Sequence, residues 1–202
     1  LQDSLPPAMM VVAIDNTPAR LDEYTHVQDD IGSLVGGAGD AYADFVQDTV
    51  RKLVAQTYGE PSKVGVLGSS LGGLISFHIA LRHKGHYGFA ASLSGTMGWG
   101  SIGLHNETMI ERYSQAGHGA TPLYLDSGGA GTCVDSDMDG IEDDALDGSD
   151  NYCENKQFES VLKAVGYVAD SDLWHWYEPG AAHNEQSWAA RVFRPLDLFS
   201  QL

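Results

Sequence analysis

The chain has 202 residues, enough for one domain with a sizeable core and too few for two comfortable ones. It carries 28 acidic against 11 basic residues, a formal net charge of −17, which argues against nucleic acid and against an anionic membrane surface as partners. The sequence holds no apolar run long enough for a transmembrane helix.

The chain begins at Leu1 without Met and without a signal peptide, so further sequence upstream is expected. A polar lead ends in Pro6-Pro7. Met9 to Ile14 is apolar and β-rich and predicts a first strand, ended by Asp15-Asn16-Thr17-Pro18. Residues 17 to 39 read as a long loop, of the kind that in compact domains tends to be functional. Asp40 is placed to cap the next helix, with Tyr42, Phe45, Val46, Val50, Leu53 and Val54 as its buried stripe and Gly59 past its end. Val64, Val66 and Leu67 suit a buried parallel strand. Leu71, Leu74, Ile75, His78, Ile79 and Arg82 then recur at helical spacing. Further strands are expected at Phe89 to Leu93, Leu123 to Leu125 and Leu173 to Tyr177, and helices at 105–116, at Glu154 to Val165 and, after a loop from Glu178 to Asn184, through Trp188, Val192 and Phe193 to a break at Pro195. Strand and helix alternating to the end predict an α/β chain with a parallel sheet covered on both faces. Sites in such sheets lie at the carboxyl ends of the strands, where Ser70, Trp99, the loop after Leu125 and the loop holding His183 all fall.

Gly68-Ser69-Ser70-Leu71-Gly72 is a G-x-S-x-G pattern. In a chain with 24 glycines the pattern alone is weak, and an ordinary strand–helix turn would also explain it. The strand before it and the amphipathic helix after it are the setting of a nucleophile elbow. There a tight turn needs Gly68 and Gly72 beside the serine, and the helix start offers the Leu71 N–H to an oxyanion. Of eight histidines, His78, His83 and His86 lie on or near the elbow helix and cannot easily fold back to Ser70. His175 sits inside a strand between Trp174 and Trp176, where packing is its expected role. His183 lies in Gly180-Ala181-Ala182-His183-Asn184, a small-residue loop after the last strand, and is the candidate base. An acid must orient it. Asp150 is favoured, although an Asp before a helix is also a good cap; Asp147 is the runner-up, and Asp126 ends the penultimate strand. Trp99, Tyr24 and Trp188 could line the site, though aromatics in such a fold are more often core.

Cys133 and Cys153 read as one disulfide in a secreted or periplasmic protein. Between them, Asp135-Ser136-Asp137-Met138-Asp139-Gly140-Ile141-Glu142-Asp143 puts oxygen ligands at loop positions 1, 3 and 5, a glycine at 6 and a backbone carbonyl, from Ile141, at 7. The stretch resembles the opening of an EF-hand loop, and also the calcium repeats of thrombospondin type, in which an Asp follows at position 9, here Asp143. Position 12 is Leu146, so Asp144 or Asp147 would have to close the shell. The expected set for a structural calcium ion is Asp135, Asp137, Asp139, Ile141, Asp143 and Asp147; the alternative is a solvated acidic loop.

Several stretches together resemble the putative-esterase family of α/β-hydrolases, which includes feruloyl and acetyl-xylan esterases, enterochelin-type esterases and S-formylglutathione hydrolases. They are Val11-Val12-Ala13-Ile14-Asp15-Asn16, Arg20 with Glu23-Tyr24, Gly37 to Phe45, Gly68 to Leu74, Leu123 to Gly128, and Pro179 to His183. The resemblance implies an α/β-hydrolase three-layer sandwich over 1–202, with a calcium-loop insertion at about 127–152. It implies Ser70 as nucleophile, His183 as base and an acid at or near Asp150. It also implies strands ahead of Met9 and a second oxyanion donor after one of them, which this chain lacks; a cleaved N-terminal segment of the same protein is one expected source. The reading is a secreted serine esterase acting on acyl groups of carbohydrate or related small esters. Transfer of the acyl group to a sugar acceptor, or a non-catalytic calcium-dependent binding module, are the alternatives.

Overall fold

A computed structural model of the chain describes residues 9–144 and 150–202. Residues 9–14, expected as the first strand, pair with no described strand. Their composition suits a strand, but a strand forms only where a neighbour offers a ladder, and Met10, Val11 and Val12 lie exposed beside a groove instead.

The expected long loop is partly ordered. It holds a short helix α1 (Arg20–Glu23) and an antiparallel hairpin of β1 (Gln28–Asp30) and β2 (Leu34–Gly36), with Asp29 opposite Val35. Asp29 is fully buried, and its carboxylate accepts N–H bonds from Gly100, Ile102, Gly103 and Leu104 at 2.7–3.1 Å. Burial pushes its carboxyl up, but the bonds from Gly103, Gly100, Ile102 and Asp30 outweigh this and hold it below the usual range.

A continuous helical path follows: α2 (Gly39–Phe45), a π-helical turn at Val46–Val50, and α3 (Arg51–Tyr58), closed by Gly59 at φ 91°. Asp40 is not its cap. It lies in the first turn and pairs with His78 at 2.8 Å and with Arg82. The predicted stripe is buried only in part, since Phe45 and Leu53 face solvent while Ala43 and Val46 pack inward.

The second half alternates as expected: β3 (Gly65–Ser69), α4 (Leu71–Arg82), β4 (Phe89–Leu93), α5 (Met109–Ala116), β5 (Leu123–Ser127), α6 (Tyr152–Ala164) and β6 (Leu173–Tyr177). The strands form a parallel sheet in the order β3-β4-β5-β6. Alternation along them serves two cores. Ala90, Leu123 and Leu125 pack with Phe77, Phe158 and Leu162 on one face. Phe89, Ala91 and Tyr124 pack with Leu198 and Phe199 on the other. The elbow helix α4 is buried almost all round, because α2 covers Ile75 and Ile79 while the main core takes Leu74 and Phe77. The chain ends in α7 (Glu185–Arg191) and α8 (Phe193–Gln201). Pro195 breaks nothing; it sits in the first turn of α8, where a missing N–H costs little. A Cys133–Cys153 disulfide closes the expected loop, with Cα atoms 5.3 Å apart. No helix among the described residues is long and apolar enough to cross a membrane.

Candidate active site

Ser70 stands in the turn between β3 and α4 at φ 54° and ψ −126°, a conformation that costs a side-chain-bearing residue roughly 1–3 kcal/mol. The surrounding backbone holds it there. Its N–H donates to the Leu93 carbonyl at 2.9 Å, and its own carbonyl accepts from Gly73, Leu74 and Thr96. A Cβ on Gly68 would lie 2.3 Å from the Gly72 carbonyl oxygen, so Gly68 is dictated by close backbone approach. Gly72, expected to be equally constrained, would meet nothing. The second demanding position is Gly73, whose Cβ would lie 2.2 Å from Ser92 Oγ.

Ser70 Oγ lies 2.9 Å from His183 Nε2, and His183 Nδ1 lies 2.8 Å from Asp150 Oδ1. An ionised carboxylate only accepts, so Nδ1 carries the proton and Nε2 accepts from the serine hydroxyl. His183 is about one-third exposed, whereas the Asp150 side chain is sealed from solvent. The base is therefore reachable from outside and its orienting acid is not. Trp188 packs edge-on against the imidazole with ring centres 4.9 Å apart. Asn184 caps α7 through Ser187, which fixes the exit of the histidine loop. Leu71 opens α4, and its N–H lies ahead of the first helical bonds, which Gly73 and Leu74 donate to the Ser70 carbonyl.

Asp150 caps nothing, contrary to the alternative open at the sequence level. It and Asn151 both adopt left-handed backbone, at φ 51° and 56°, and the carboxylate turns away from α6. Its Oδ2 accepts from Ser94 Oγ at 2.8 Å, Gly128 N–H at 2.7 Å and Arg191 Nη2 at 3.0 Å. Burial pushes the Asp150 carboxyl up, but the bonds from His183, Ser94 and Arg191 outweigh it and hold the group below the ordinary carboxylate range. Asp126 does not contact His183. It is buried against Arg191 and the Tyr124 hydroxyl, and burial raises it to about 6 despite the guanidinium. Asp147 lies outside the described residues.

The aromatic candidates divide. Tyr24 and Trp188 line the same groove as Ser70 and His183. Trp99 does not: it is buried in the main core and donates its indole N–H to the Val27 carbonyl at 2.9 Å, so its role is packing. His175 is tied to Glu159 at 2.8 Å, away from the serine. Arg191 and Ser94 were not legible as site residues. A lone arginine near the end of an amphipathic helix reads as a surface residue, and only the fold brings the carboxylates to it.

In the acidic loop, one oxygen from each of Asp135, Asp137 and Asp139 lies within 4.8 Å of the others. Gly140 makes the turn at φ 94°, and Ile141 is buried against the core. Asp143 accepts from the N–H and hydroxyl of Ser136. An all-oxygen donor set of this kind suits a hard cation.

The profile of the Putative esterase family matches residues 9–197. The chain belongs to that family. A Bacillus subtilis protein of uncharacterised function, YbbA, is 25% identical over 198 residues, covering 95% of this chain and 73% of YbbA. An IroE-like serine hydrolase from Shewanella oneidensis superposes with a TM-score of 0.66 at 15% identity, covering 91% of this chain and 58% of that one. The enterobactin esterase of Shigella flexneri gives 0.61 at 17% identity, over 80% of this chain. This chain spans only 39% of that esterase's length. At these identities the structural likeness establishes the α/β-hydrolase fold.

Proposed function

We propose that the protein is a serine esterase that hydrolyses carboxylic esters of carbohydrates or related small alcohols. The observation that carries the reading is the unbroken Ser70–His183–Asp150 relay, with contacts of 2.9 and 2.8 Å. In the proposed reaction Ser70 Oγ attacks the ester carbonyl as His183 Nε2 takes its proton. The Leu71 N–H, at the positive end of α4, stabilises the oxyanion, and Asp150 stabilises the imidazolium. His183 then protonates the leaving alcohol, and a water activated by the same histidine releases the acid. The family and the named activities of its structural neighbours support ester chemistry; the disulfide supports an oxidising, secreted or periplasmic setting. A screen of p-nitrophenyl acetate, butyrate and feruloyl esters tests the reading, with Ser70→Ala and His183→Ala as controls. Turnover by the native protein but by neither variant is expected; equal turnover by either variant would overturn it. Product analysis with acceptor sugars present separates hydrolysis from acyl transfer.

Two accompanying assignments are proposed with it. A structural calcium ion would be held by Asp135, Asp137 and Asp139, supporting the loop that leads to Asp150 without entering the chemistry. EDTA is expected to lower Tm and calcium to restore it; no change in Tm and no metal by elemental analysis would refute the ion. A further polypeptide strand, from an N-terminal segment outside residues 1–202, would pair with β3. What supports it is a groove of about 1450 Å³ between residues 9–14 and the outer edge of β3, where Gly65 and Leu67 are exposed while β4 and β5 are buried throughout. Native mass spectrometry of the active protein is expected to find that segment; activity from residues 1–202 alone would contradict it.

A further inference from the structure

Arg191, at the end of α7, is buried, with 2% of its side chain exposed. In a chain of net charge −17, whose cations are otherwise mostly at the surface, a buried guanidinium calls for an explanation. Its Nε donates to Asp126 Oδ1 at 3.0 Å, and its Nη2 donates to Asp150 Oδ2 at 3.0 Å and to Ser94 Oγ. Among the described residues Nη1 has no partner, and the hydrogen bonds of the group there go into this cluster. One carboxylate comes from β5 and the other from the loop two residues ahead of α6, and Ser94 follows β4. One planar group therefore ties two strand ends and that loop together beneath the His183 loop.

We propose that Arg191 is the positioning residue of the site: it fixes Asp150 Oδ2 so that Oδ1 faces His183, while Asp126 holds Arg191 in place. The inference rests on the reading of Ser70, His183 and Asp150 as a triad. Its physical basis is the fork geometry of arginine. A planar guanidinium spreads its N–H donors over a rigid fork that spans two carboxylates and stays charged, whereas the three donors of a lysine radiate from one atom on a flexible stem. The charge matters as well as the shape. A cation beside Asp150 opposes the positive charge that develops on His183 when it takes the serine proton, so its removal is expected to be felt in the pH profile of activity. Among the described residues, the charged and titratable groups facing Asp150 are His183, Arg191 and Asp126, with Tyr124 and Arg194 one contact further out.

The test is the pH profile of kcat/KM for p-nitrophenyl acetate, with each protein counted by fluorophosphonate titration of its reactive serine. In Arg191→Met, kcat is expected to fall on the order of a hundredfold with KM nearly unchanged, the cost of a misplaced catalytic group. The acidic limb should move to higher pH, because the opposing cation is gone. Arg191→Lys should recover most of the shift in the limb and only part of kcat. Asp126→Asn keeps the shape and removes the compensating anion, so its limb should move the opposite way, to lower pH. A purely structural role would lower Tm in these variants and leave the limb of each titrated site where it was; that result overturns the proposal. Should Arg191→Met fail to fold, Asp126→Asn decides by the same criterion. If Ser70→Ala retains activity, the triad reading fails first, and that outcome is distinct from an unmoved limb.

Discussion

The disulfide gives the most quantitative stability prediction, because it bounds the segment that carries Asp150. Cys133 and Cys153 are 20 residues apart, and a cross-link over a loop of that size removes about 11 cal/mol/K of chain entropy from the unfolded state, or about 3 kcal/mol at 25 °C. Cys153 is buried, so alanine is the cleaner replacement; serine would bury a hydroxyl. Cys133→Ala/Cys153→Ala should therefore lose about 3 kcal/mol, which for a chain of this length lowers Tm by roughly 6–12 °C. Activity at 25 °C should fall much less. The bonds that hold Asp150, to Ser94, Gly128, Arg191 and His183, do not involve either cysteine. The assay is calorimetric unfolding alongside kcat/KM at neutral pH, with the native protein measured before and after reduction. A stability loss under about 1 kcal/mol would refute the loop-entropy argument. Collapse of kcat with Tm unchanged would show that the bridge, not the hydrogen-bond cluster, places the acid.

Gly68→Ala should lose most activity and about 1–3 kcal/mol or more, since its Cβ would overlap backbone that cannot move without displacing Ser70; chemical denaturation and turnover together check this. Asp29→Ala would leave the N–H groups of Gly100, Ile102, Gly103 and Leu104 without their acceptor and should cost roughly 3 kcal/mol, with Asp29→Asn recovering part; equal stability of Asp29→Ala and native protein in urea would contradict the assignment. Burial first, and the Arg112 charge second, lower His78 from its ordinary 6.5 to about 4. Over that interval the unfolded chain binds the proton and the native one does not, so stability is complete above 6.5 and is lost as pH falls towards 4, by up to about 3 kcal/mol. His78→Gln should flatten the urea-melt pH dependence over that range; an unchanged slope would exclude His78 as the source.

The core of the site was legible because its signals are local. A tight turn needs Gly68 beside Ser70, and the strand before and helix after it carry their own periodicities. His183 stood out because small residues flank it just past a strand. Asp150 was harder, because a helix cap and a triad acid occupy the same place in sequence; only its left-handed backbone and its four partners separate the two. What could not be read was long-range. The strand expected at Met9 to Ile14 has the right composition and no ladder. Trp99 reads as a site aromatic until Val27 is found to accept its indole N–H. Arg191 meets Asp126 and Asp150 across 65 and 41 residues, a distance over which no periodicity carries information. The hairpin at residues 28–36 depends on Asp29 reaching a loop more than 70 residues away.

Whether Ser70 is an activated nucleophile is decided by fluorophosphonate labelling followed by intact-mass and peptide analysis. One adduct is expected, on Ser70, formed by the native protein, absent in Ser70→Ala and strongly slowed in His183→Ala. Absence of an adduct on the complete native protein, or an adduct on another serine that survives Ser70→Ala, would contradict it.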